Sequence, residues 1–453
     1  MIQRVLIANR SEIAVRIIRA CKEMGIETVA VYSQADKEAL HVQMADQAVC
    51  IGASLASESY LNMNNLIQAA CLTGCDAIHP GFGFLSENSR FARLVQECGL
   101  TWIGPRPEVI EQLGNKTEAR KMMAAKGVPI IPGMSKALSS EQEGLSVADE
   151  IGYPIILKAS NGGGGKGMRV VRSETEFQDA YYQTKSEAKQ FFGDEDVYIE
   201  KFIENPKHIE VQLAGDRYGN CVHFYERDCS FQIDNQKMME EAPCSCLSET
   251  QRAALVESAC KACKAAKYDS VGTVEFLFDG NQHYFMEMNT RIQVEHPITE
   301  MITGIDLIAL QIRLAQGDRL PFTQAQIHKN GVAIECRINA EDVHHDFHGC
   351  AGKIRFYHCP GGNGIRVDSG IYSGYEVPPF YDSMLCKIIA YAPNRKACIQ
   401  KMKGALEEII VDGIETNEEF LYLALFQEDF LKGSYDTSMA AKFYQQCKKE
   451  ELL

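Results

Sequence analysis

The stretch Glu287–Pro297, with the sequence EMNTRIQVEHP, places two carboxylates, an Asn, an Arg and a Gln within nine residues. It continues the apolar segment His283–Glu287, which is separated from Val274–Phe278 by the turn-forming residues Asp279–Gln282. Two short apolar segments joined by such a turn predict a β-hairpin. The polar stretch therefore follows directly from the second strand of a hairpin.

The register of this hairpin decides which side chains meet. A three-residue loop, 280–282, pairs Asp279 with His283 and, counting outward, Glu275 with Glu287. Because side chains alternate between the two faces of a strand, one face is predicted to carry Val274, Phe276, Phe278, Tyr284, Met286 and Met288. The other face is predicted to carry Glu275, Glu287 and Asn289.

Two directly opposed carboxylates lie roughly 5 Å apart and repel each other. A divalent cation removes this repulsion, and oxygen ligands of this kind suit Mg²⁺ or Mn²⁺. The alternative is a pair of solvated charges on an exposed sheet face. The Asn, Arg, Gln and Glu residues that follow in the stretch favour the metal site.

Length and composition bound the class of protein. The 453 residues are enough for two to four domains, and 45% hydrophobic with 24% charged residues is ordinary for a soluble globular protein. The net charge of −15 argues against binding to nucleic acid or to an anionic membrane. The sequence contains neither a signal-peptide pattern nor an apolar segment of membrane-spanning length. We therefore expect a cytoplasmic protein.

The 17 cysteines follow no regular framework, which fits free thiols in a reducing compartment. Two close pairs, Cys244/Cys246 and Cys260/Cys263, leave zinc binding as an alternative. The second pair lies in an Ala-rich segment predicted to be helical, so thiols are the preferred interpretation.

Residues 1–113 alternate predicted strands and helices, which is the pattern of an open, mostly parallel α/β sheet. The turn after the first strand, Asn9–Glu12, has no Gly-x-Gly-x-x-Gly, so a dinucleotide site of that type is excluded. A glycine-rich loop, His79–Asn88, follows a later strand at the edge where such sheets bind ligands. A tight turn that caps the next helix is the alternative interpretation of this loop.

A second glycine-rich loop, Ser160–Gly167, lies between the predicted strands Tyr153–Ala159 and Met168–Arg172. It is not a Walker loop, because its lysine is followed by glycine rather than by Ser or Thr. Five glycines in six positions cost backbone entropy, a cost that suits a mobile loop whose N–H groups approach phosphate oxygens. Lys158 just before the loop favours a phosphate site over a disordered surface hairpin.

The remaining pattern predicts a hairpin of 208–213 with 221–225, followed by polar loops at Glu226–Ser230 and Gln232–Glu241. From about residue 330 the chain is rich in predicted strands and closes with helices, and its end, Lys448–Glu451, predicts a frayed tail.

Five motifs together resemble biotin carboxylase, the ATP-grasp subunit of bacterial and plastid acetyl-CoA carboxylase. They are Glu287–Pro297, the glycine loop with Lys158, His79–Asn88, Glu226–Ser230 and Glu335–Asp342, and the resemblance extends from residue 1 to about residue 440. It implies an open parallel α/β domain at residues 1–113, an ATP-grasp core at 114–318 with a mobile lid at about 131–203, and a C-terminal α+β domain at 330–445.

The resemblance also implies a reaction. ATP, bicarbonate and biotin on a biotin carboxyl carrier protein give ADP, phosphate and N-carboxybiotin by way of carboxyphosphate, the first half-reaction of malonyl-CoA formation in fatty acid biosynthesis. It implies two Mg²⁺ or Mn²⁺ ions, carboxyltransferase subunits as further partners, and a homodimer.

The family's functional residues are carried over to matching positions. The resemblance implies nucleotide contacts for Lys116, Lys158, Gly164, Gly165, Glu200, Lys201, Ile203 and His208, with the backbones of Lys201 and Ile203 facing adenine. It implies metal ligands at Glu275, Glu287 and Asn289, as the hairpin count does. It implies bicarbonate contacts at Lys237, Arg291, Gln293 and Val294, a base at Glu295, and contact with the biotin ureido oxygen at Arg337.

The sequence departs from the family pattern at four sites, of which Asn161 for a usual Gly and Lys166 for a usual Arg lie in the second glycine loop. Ile233–Asn235 replaces the usual Arg-Arg-His, so Asn235 stands where the family His contacts ribose or phosphate. Asn363 replaces a usual Phe at the family dimer interface, although Arg19, Glu23 and Arg366 remain. The biotinylated Met-Lys-Met turn is absent, so we expect biotin to be held by another polypeptide.

Two alternatives stay open. The same half-reaction serves other acyl-CoA carboxylases and pyruvate carboxylase, and a neighbouring carrier gene would distinguish these from acetyl-CoA carboxylase. A degenerate nucleotide-binding scaffold is the other alternative, which the change at Ile233–Asn235 suggests. The retained metal, bicarbonate and biotin residues argue against it, because a scaffold needs none of them.

Overall fold

The computed structural model describes residues 1–134, 136–159, 167–192 and 195–453. The expected nucleotide contacts Gly164 and Gly165 lie outside these described residues. Within the described ranges, no helix combines the length and the apolar character needed to cross a membrane.

The inner N-terminal strands are short apolar segments that are largely buried, which is the pattern of a parallel sheet, whereas the edge strand Gln47–Gly52 is mostly exposed. They are β1 (Arg4–Ile7), β2 (Glu27–Ser33), β3 (Gln47–Gly52), β4 (Ala77–His79) and β5 (Thr101–Trp102), in the order β3-β2-β1-β4-β5. The accompanying helices are α1 (Ser11–Glu23), α2 (Leu40–Met44), α3 (Met63–Leu72), α4 (Ser89–Glu97) and α5 (Pro107–Gly114). All neighbouring strands pair in parallel, so the predicted sheet type is confirmed.

A smaller unit follows, built on a three-stranded antiparallel sheet in the order β7-β6-β8. It is preceded by α6 (Lys116–Ala125), which packs into a separate core, and its elements are α7 (Glu141–Ile151), β6 (Ile155–Ala159), β7 (Met168–Val171), α8 (Glu174–Phe192) and β8 (Val197–Lys201). Leu157, Phe177 and Ile199 are fully buried between its sheet and helices. The two strands predicted to flank the second glycine loop are therefore present, as β6 and β7.

The largest sheet is antiparallel throughout and has the order β13-β12-β9-β10-β11-β14-β21-β19 among the described residues. Its first part consists of β9 (Lys207–Gly215), β10 (Cys221–Ile233), β11 (Gln236–Ala242), β12 (Val271–Phe278) and β13 (His283–Asn289), with helices α9 (Glu249–Ala265), α10 (His296–Thr303) and α11 (Leu307–Ala315). The sheet then continues into the C-terminal region, so one layer of strands runs across the boundary expected near residue 330.

The C-terminal region adds strands and helices to this sheet. They are β14 (Val332–Asn339), β15 (Glu341–Asp342), β16 (His348–Gly349), β17 (Gly352–Lys353), β18 (Phe356–His358), β19 (Ile365–Ser369), β20 (Glu376–Val377), β21 (Met384–Ala392), α12 (Arg395–Glu408), β22 (Ile410–Asp412), α13 (Glu418–Ala424), α14 (Glu428–Lys432) and α15 (Met439–Glu450). The prediction of a frayed tail at Lys448–Glu451 is wrong for its first three residues, which extend α15, and Lys448 forms an ion pair with Asp346 at 2.7 Å.

The prediction of loops at Glu226–Ser230 and Gln232–Glu241 is also wrong, because β10 and β11 occupy most of both segments. The polar residues belong to strands because they are paired in the interior. Arg252 donates to Glu226 at 2.7 Å and Lys207 to Asp228 at 2.7 Å. A polar sequence indicates a loop only when its side chains lack such buried partners.

All 17 cysteines are free thiols in the structure. The sulfur atoms of Cys244 and Cys246 lie 3.3 Å apart, and Cys244 Sγ lies 3.5 Å from Asp228 Oδ2. The Lys207 ammonium lies 2.7 Å from the same carboxylate oxygen, where it competes with any metal cation. The second pair, Cys260 and Cys263, lies one turn apart in α9. This arrangement fits thiols better than zinc ligands.

Candidate active site

A cavity of about 1450 Å³ lies where the N-terminal sheet, the three-stranded unit and the large sheet meet. Fourteen of the predicted site residues line it: Lys116, Lys158, Glu200, His208, Asn235, Lys237, Glu275, Glu287, Asn289, Arg291, Gln293, Val294, Glu295 and Arg337. Lys201 ends β8, Ile203 follows shortly after it, and neither is among the lining residues. The structure therefore brings together side chains that are up to about 220 residues apart in sequence, from Lys116 to Arg337.

The predicted pairing of the two hairpin carboxylates is confirmed. Glu275 on β12 lies directly opposite Glu287 on β13, and Thr273 lies opposite Asn289. The three oxygen-bearing side chains Glu275, Glu287 and Asn289 line the same cavity.

The pairing expected at the turn is wrong, because Phe278 and not Asp279 pairs with His283. The Asp279 side chain accepts backbone hydrogen bonds from Asn281 at 2.9 Å and Gln282 at 2.7 Å, which makes the loop one residue longer. A β-bulge between the Phe276–Phe285 and Glu275–Glu287 pairs then restores the expected register.

The bulge also changes which residues form the apolar face. Phe276 pairs with Phe285, and both are buried in the core behind the sheet. Met286, predicted to share that core face, lines the cavity instead. Tyr284, also predicted there, is half-buried and donates its hydroxyl to Asp279 at 3.1 Å.

Lys237 on β11 is the ammonium around which the carboxylates of the site are arranged. Its Nζ lies 2.7 Å from Glu210, 3.2 Å from Glu275 and 2.7 Å from Glu295. His208 Nε2 lies 3.0 Å from the second oxygen of Glu275. The side chains of Lys237, Glu210, Glu275 and Glu295 are nearly inaccessible to solvent, so these interactions act in a medium of low effective dielectric constant.

The charges fix one another's protonation states. Burial alone would raise the pKa of Glu275 and of Glu295, but the Lys237 ammonium, aided by His208 at Glu275 and by Arg337 at Glu295, holds both values well below the ordinary range. Burial would likewise lower the pKa of Lys237, and its carboxylate neighbours raise it well above normal. The site is therefore a set of fixed charges at neutral pH.

The residues predicted to bind metal fit a divalent cation. Glu275 and Glu287 supply carboxylate oxygens and Asn289 an amide oxygen, which are the ligands that Mg²⁺ and Mn²⁺ prefer. The Asn289 amide group donates to Glu275 at 2.8 Å, and its oxygen accepts from Arg291 at 3.0 Å. Glu287 is 37% exposed and forms an ion pair with Lys116 at 3.0 Å, so its carboxylate is accessible from the cavity.

Arg227 on β10 is a buried residue that the sequence analysis did not assign to the site. Its side chain has no exposed surface, and its Nε–H and its two terminal nitrogens donate five hydrogen bonds to five different side chains. The acceptors are Glu210 at 2.5 Å, Gln212 at 2.6 Å, Thr299 at 3.0 Å, Thr273 at 3.1 Å and Gln293 at 2.7 Å. Arg227 therefore fixes the orientation of the Gln293 amide.

A period-two pattern in β9 could have revealed this network. The polar residues His208, Glu210 and Gln212 alternate with the apolar residues Ile209, Val211 and Leu213. Such alternation places the polar side chains on one face of the strand, and the structure buries that face against Arg227 and Lys237.

The N-terminal glycine-rich loop, His79–Asn88, holds the opposite side of the site. Glu87 accepts hydrogen bonds from the Thr290 backbone at 3.1 Å and from Arg291 Nε at 2.9 Å. Phe82, Gly83 and Phe84 of the loop line the cavity. The loop thus contributes both to the cavity wall and to the position of Arg291, beyond its role as a turn before α4.

Arg337 on β14 lies between two carboxylates. Its guanidinium contacts Glu240 at 2.7 Å through Nε and Glu295 at 3.0 Å through Nη2. Burial would lower the pKa of Arg337, but Glu240 and Glu295 raise it, so the guanidinium is a permanent cation at the cavity wall. Glu240, like Arg227, was not anticipated from the sequence.

The residues predicted to bind nucleotide form a second cationic group. Lys158 at the end of β6 lies 2.6 Å from Glu200, which also forms an ion pair with Arg120. Burial, together with the nearby charges of Arg120 and Lys116, lowers the pKa of Lys158 to about 8. A bound polyanion would stabilise the charged form of this lysine.

Asn235, which replaces the family His, and Lys201, whose backbone is expected to face adenine, both lie among the described residues. Asp234 and Asn235 form the two-residue turn between β10 and β11, with φ of 51° and 66° and the Ile233–Gln236 pair closing it. This turn requires positive φ at both positions, where Asn and Asp are well tolerated. The Lys201 N–H is donated to the carbonyl of Pro132 at 2.7 Å.

Three family models match consecutive parts of the chain. The model described as "Biotin carboxylase, N-terminal domain" matches residues 1–110. The model "Carbamoyl-phosphate synthase L chain, ATP binding domain" matches residues 115–323, and "Biotin carboxylase C-terminal domain" matches residues 335–442. Together the three models cover almost the whole chain.

The chain is also similar to individual proteins along nearly its full length. It is 52% identical to biotin carboxylase 1 of Bacillus subtilis over 439 residues, which are 96% of this chain and 98% of that protein. It is 48% identical to a pyruvate carboxylase subunit of Methanothermobacter thermautotrophicus, covering 98% of this chain and 90% of that one.

A solved structure shares the fold. It is the biotin carboxylase domain dimer of Hydrogenobacter thermophilus 2-oxoglutarate carboxylase, in complex with MgADP, ADP and bicarbonate. The TM-score is 0.90, with 47% identity and 97% of each chain covered.

Proposed function

The chain belongs to the biotin carboxylase family, and from this premise we propose how its own residues carboxylate biotin with ATP and bicarbonate. The protein is an ATP-dependent ligase. The observation that carries the residue-level proposal is the position of the Lys237 ammonium, within 3.2 Å of Glu210, Glu275 and Glu295 and on the wall of the shared cavity.

We assign ATP to the side of the cavity formed by Lys116, Lys158, Glu200 and His208, with Gly164 and Gly165 of the adjoining loop and the backbones of Lys201 and Ile203. The depressed pKa of Lys158, about 8, supports this because phosphate oxygens would add negative charge where the cations Arg120 and Lys116 crowd a buried lysine. Two Mg²⁺ or Mn²⁺ ions, for which Glu275, Glu287 and Asn289 are the proposed ligands, supply charge neutralisation on the phosphate oxygens.

We assign bicarbonate to Lys237, Arg291, Gln293 and the backbone of Val294. Bicarbonate is a weak nucleophile, so cations must hold it and a base must take its proton as it attacks the γ-phosphate. Glu295 is the proposed base. Its pKa is low because Lys237, Arg337 and Arg227 surround it, and an anion bound to the same cations weakens their hold and makes the carboxylate more basic.

The products of this first step are ADP and carboxyphosphate, which then breaks down to CO₂ and phosphate. The released phosphate is the proposed base that removes the proton from the biotin nitrogen, which then attacks CO₂. Arg337 stabilises the negative charge that develops on the ureido oxygen. Its permanent charge and its place on the cavity wall support this role.

We propose that the chain consists of three domains, at residues 1–113, 114–318 and 330–445. Residues of about 131–203, which contain the sheet β7-β6-β8, are the proposed lid over the nucleotide. Closing a site in this way protects an intermediate that hydrolyses readily in water.

We propose that biotin is supplied by a separate carrier protein and that carboxyltransferase subunits use the product to form malonyl-CoA. Service to a pyruvate carboxylase is the second candidate, because the pyruvate carboxylase subunit of Methanothermobacter thermautotrophicus is 48% identical. Purified candidate carriers from the same genome would separate the two, since the cognate carrier should be carboxylated with the highest kcat/KM.

A homodimer in the cytoplasm completes the proposal. The 2-oxoglutarate carboxylase relative is a dimer of biotin carboxylase domains. Arg366, expected at such an interface, is held by Glu300 at 2.7 Å and Asp368 at 2.7 Å. Asn363, also expected at the interface, accepts a hydrogen bond from Lys401 through its backbone carbonyl at 2.5 Å.

The residue-level proposal is tested with Lys237→Met, measured as bicarbonate-dependent ADP release with and without free biotin. We expect a loss of at least about 100-fold, because removing one preorganised group that stabilises the charge developing in a reaction costs about 10²–10³ in kcat. The matched control is Lys264→Met, at an exposed lysine of α9. Turnover of Lys237→Met within threefold of this control would contradict the assignment.

A further inference from the structure

Two buried carboxyl groups face each other behind the proposed biotin residue. Glu240 on β11 lies directly opposite Glu335 on β14, so the two side chains share one face of the sheet. Glu240 is 1% exposed and Glu335 is fully buried. Arg337 lies two residues beyond Glu335 on the same strand and therefore on the same face.

The hydrogen bonds around the pair are unequal. Glu240 Oε1 accepts from Arg337 Nε at 2.7 Å and lies 2.5 Å from Nη2. The second oxygen of Glu240 and both oxygens of Glu335 are buried and have no donor among the described residues. Unsatisfied buried oxygens are costly, so three of them at one cross-strand pair need an explanation.

Among the described residues, no cation forms an ion pair with Glu335, although Lys387 acts on it at longer range. Lys387, opposite Arg337 on β21, donates to the carbonyl of Val294 at 2.6 Å and forms its ion pair with Glu12 at 3.2 Å. Arg337 is shared by Glu240 and Glu295. Lys237 serves Glu210, Glu275 and Glu295. An ionised Glu335 would be a buried charge without an ion-pair partner among the described residues.

We propose that Glu335 is a neutral carboxylic acid that donates a hydrogen bond to the free oxygen of Glu240, and that the ionised Glu240 positions the Arg337 guanidinium. This shared proton gives a hydrogen-bond partner to the free oxygen of Glu240 and to one oxygen of Glu335. Of the three unpartnered oxygens, only the second oxygen of Glu335 then remains without one. Glu240 is then the ionised member because it alone accepts the Arg337 hydrogen bonds. This inference rests on the proposed role of Arg337 at biotin.

The electrostatics of the site agree with this assignment. Burial raises the pKa of Glu335 well above its ordinary value, against the opposing effect of Lys387 and then of Arg337, and it raises the pKa of Glu240 to about 7, against the opposing effect of Arg337. The other charged groups facing the pair are Glu295, Lys237 and Lys387. Of the two carboxyl groups, the one without a direct guanidinium contact holds the proton more strongly.

The pair has a function that follows from the geometry. Arg337 also contacts Glu295, the proposed base for bicarbonate, at 3.0 Å. If Glu240 did not hold it, the guanidinium would be free to move toward Glu295 and away from biotin. Glu240 and Glu335 are therefore positioning residues and not catalytic ones.

The test compares an isosteric neutral variant with one that cannot donate. Glu335→Gln keeps a neutral side chain with an N–H donor, so the hydrogen bond to Glu240 is preserved. We therefore expect kcat/KM for free biotin within about threefold of wild type, a change no larger than the contribution of one hydrogen bond. Glu335→Leu keeps the volume but removes the donor. The Glu240 carboxylate then loses the hydrogen bond that stabilises its ionised form, so its pKa rises. The acid limb of the pH profile of kcat/KM for biotin should therefore move upward by about one pH unit.

Glu240→Gln provides the second arm. We expect its KM for biotin to rise about tenfold or more, because the guanidinium that faces the ureido oxygen is no longer held in place. Infrared spectroscopy of the folded wild-type protein at pH 8 should contain a protonated-carboxyl band that is lost in Glu335→Gln. Absence of that band, or equal pH profiles for Glu335→Leu and wild type, would overturn the inference.

Arg337→Met tests the role of Arg337 at biotin independently of the proton shared by Glu335 and Glu240. If it retains biotin-stimulated turnover, the proposed role of Arg337 is wrong whatever the carboxyl pair does. If it loses that turnover while Glu335→Gln is as impaired as Glu335→Leu, the role of Arg337 stands and the shared proton is refuted. Thermal unfolding of each variant identifies any that do not fold.

Discussion

Arg227→Met should destabilise the central sheet more than any exposed charge substitution. Arg227 is fully buried, and its guanidinium satisfies five acceptors on β9, on β12, on α10 and on the Gln293 segment. Methionine replaces the aliphatic part of the side chain but donates no hydrogen bond.

The magnitude follows from the charge that is left behind. Removing one partner of a buried ion pair costs about 3–5 kcal/mol. The lower value applies here because Lys237 still lies 2.7 Å from the Glu210 carboxylate, which gives about 3 kcal/mol. For a domain of roughly 200 residues, 1 kcal/mol shifts the unfolding midpoint by about 2–4 °C, so we expect a decrease of about 6–12 °C.

The assay is thermal unfolding followed by calorimetry at pH 7.5, with Arg217→Met as the matched control. Arg217 is exposed in the turn between β9 and β10, on the same hairpin as Arg227. We expect the control to unfold within 2 °C of wild type. The same preparations should give a raised KM for bicarbonate only in Arg227→Met, because only that variant releases the Gln293 amide. An Arg227→Met midpoint equal to that of the control would refute the reasoning about buried charge.

Three further predictions concern separate parts of the chain. Burial lowers the pKa of His41 to about 4, against about 6.5 in an unfolded chain, so the unfolded state binds more protons between these values. Stability should therefore fall as the pH drops from about 6.5 to about 4, and urea titrations should find a flatter decline in His41→Gln; equal slopes would contradict this. Asn235→His adds a hydrogen-bonding imidazole at a cavity position and should lower the KM for ATP about threefold or more, whereas an unchanged KM would place the nucleotide elsewhere. Cys244 and Cys246, with sulfurs 3.3 Å apart, should form a disulfide by exchange with oxidised glutathione; mass spectrometry of alkylated peptides should detect it there and not at Cys260/Cys263, and full alkylation of both thiols would count against it.

The sequence predicted the centre of the site better than its surroundings. Glu275 and Glu287 were correctly placed opposite each other, although Asp279 was wrongly paired with His283. The turn is one residue longer than expected, and the bulge beside Met286 shifts the register back by one residue, so the pairing of Glu275 with Glu287 was still predicted correctly. A strand count in a sequence assumes ideal pairing and cannot locate either irregularity.

The interior polar strands were missed for a different reason. Glu226, Arg227 and Asp228 look like loop residues, and only their partners from other strands and from α9 explain their burial. Arg227 alone reaches Thr299, which is 72 residues away in sequence. Such tertiary contacts override local propensity. The motif Glu226–Ser230 was therefore recognised as important, but its position within β10 was not predicted.

The central claim is that the opposed carboxylates Glu275 and Glu287 hold the divalent cation for ATP-dependent activation of bicarbonate. Its most direct test is bicarbonate-dependent ADP release with saturating ATP and Mg²⁺, with and without free biotin, for wild type and Glu287→Lys. We expect biotin-stimulated ADP release by the wild type and its loss in the folded variant. Wild-type rates in Glu287→Lys, or no turnover by the folded wild-type protein, would contradict it.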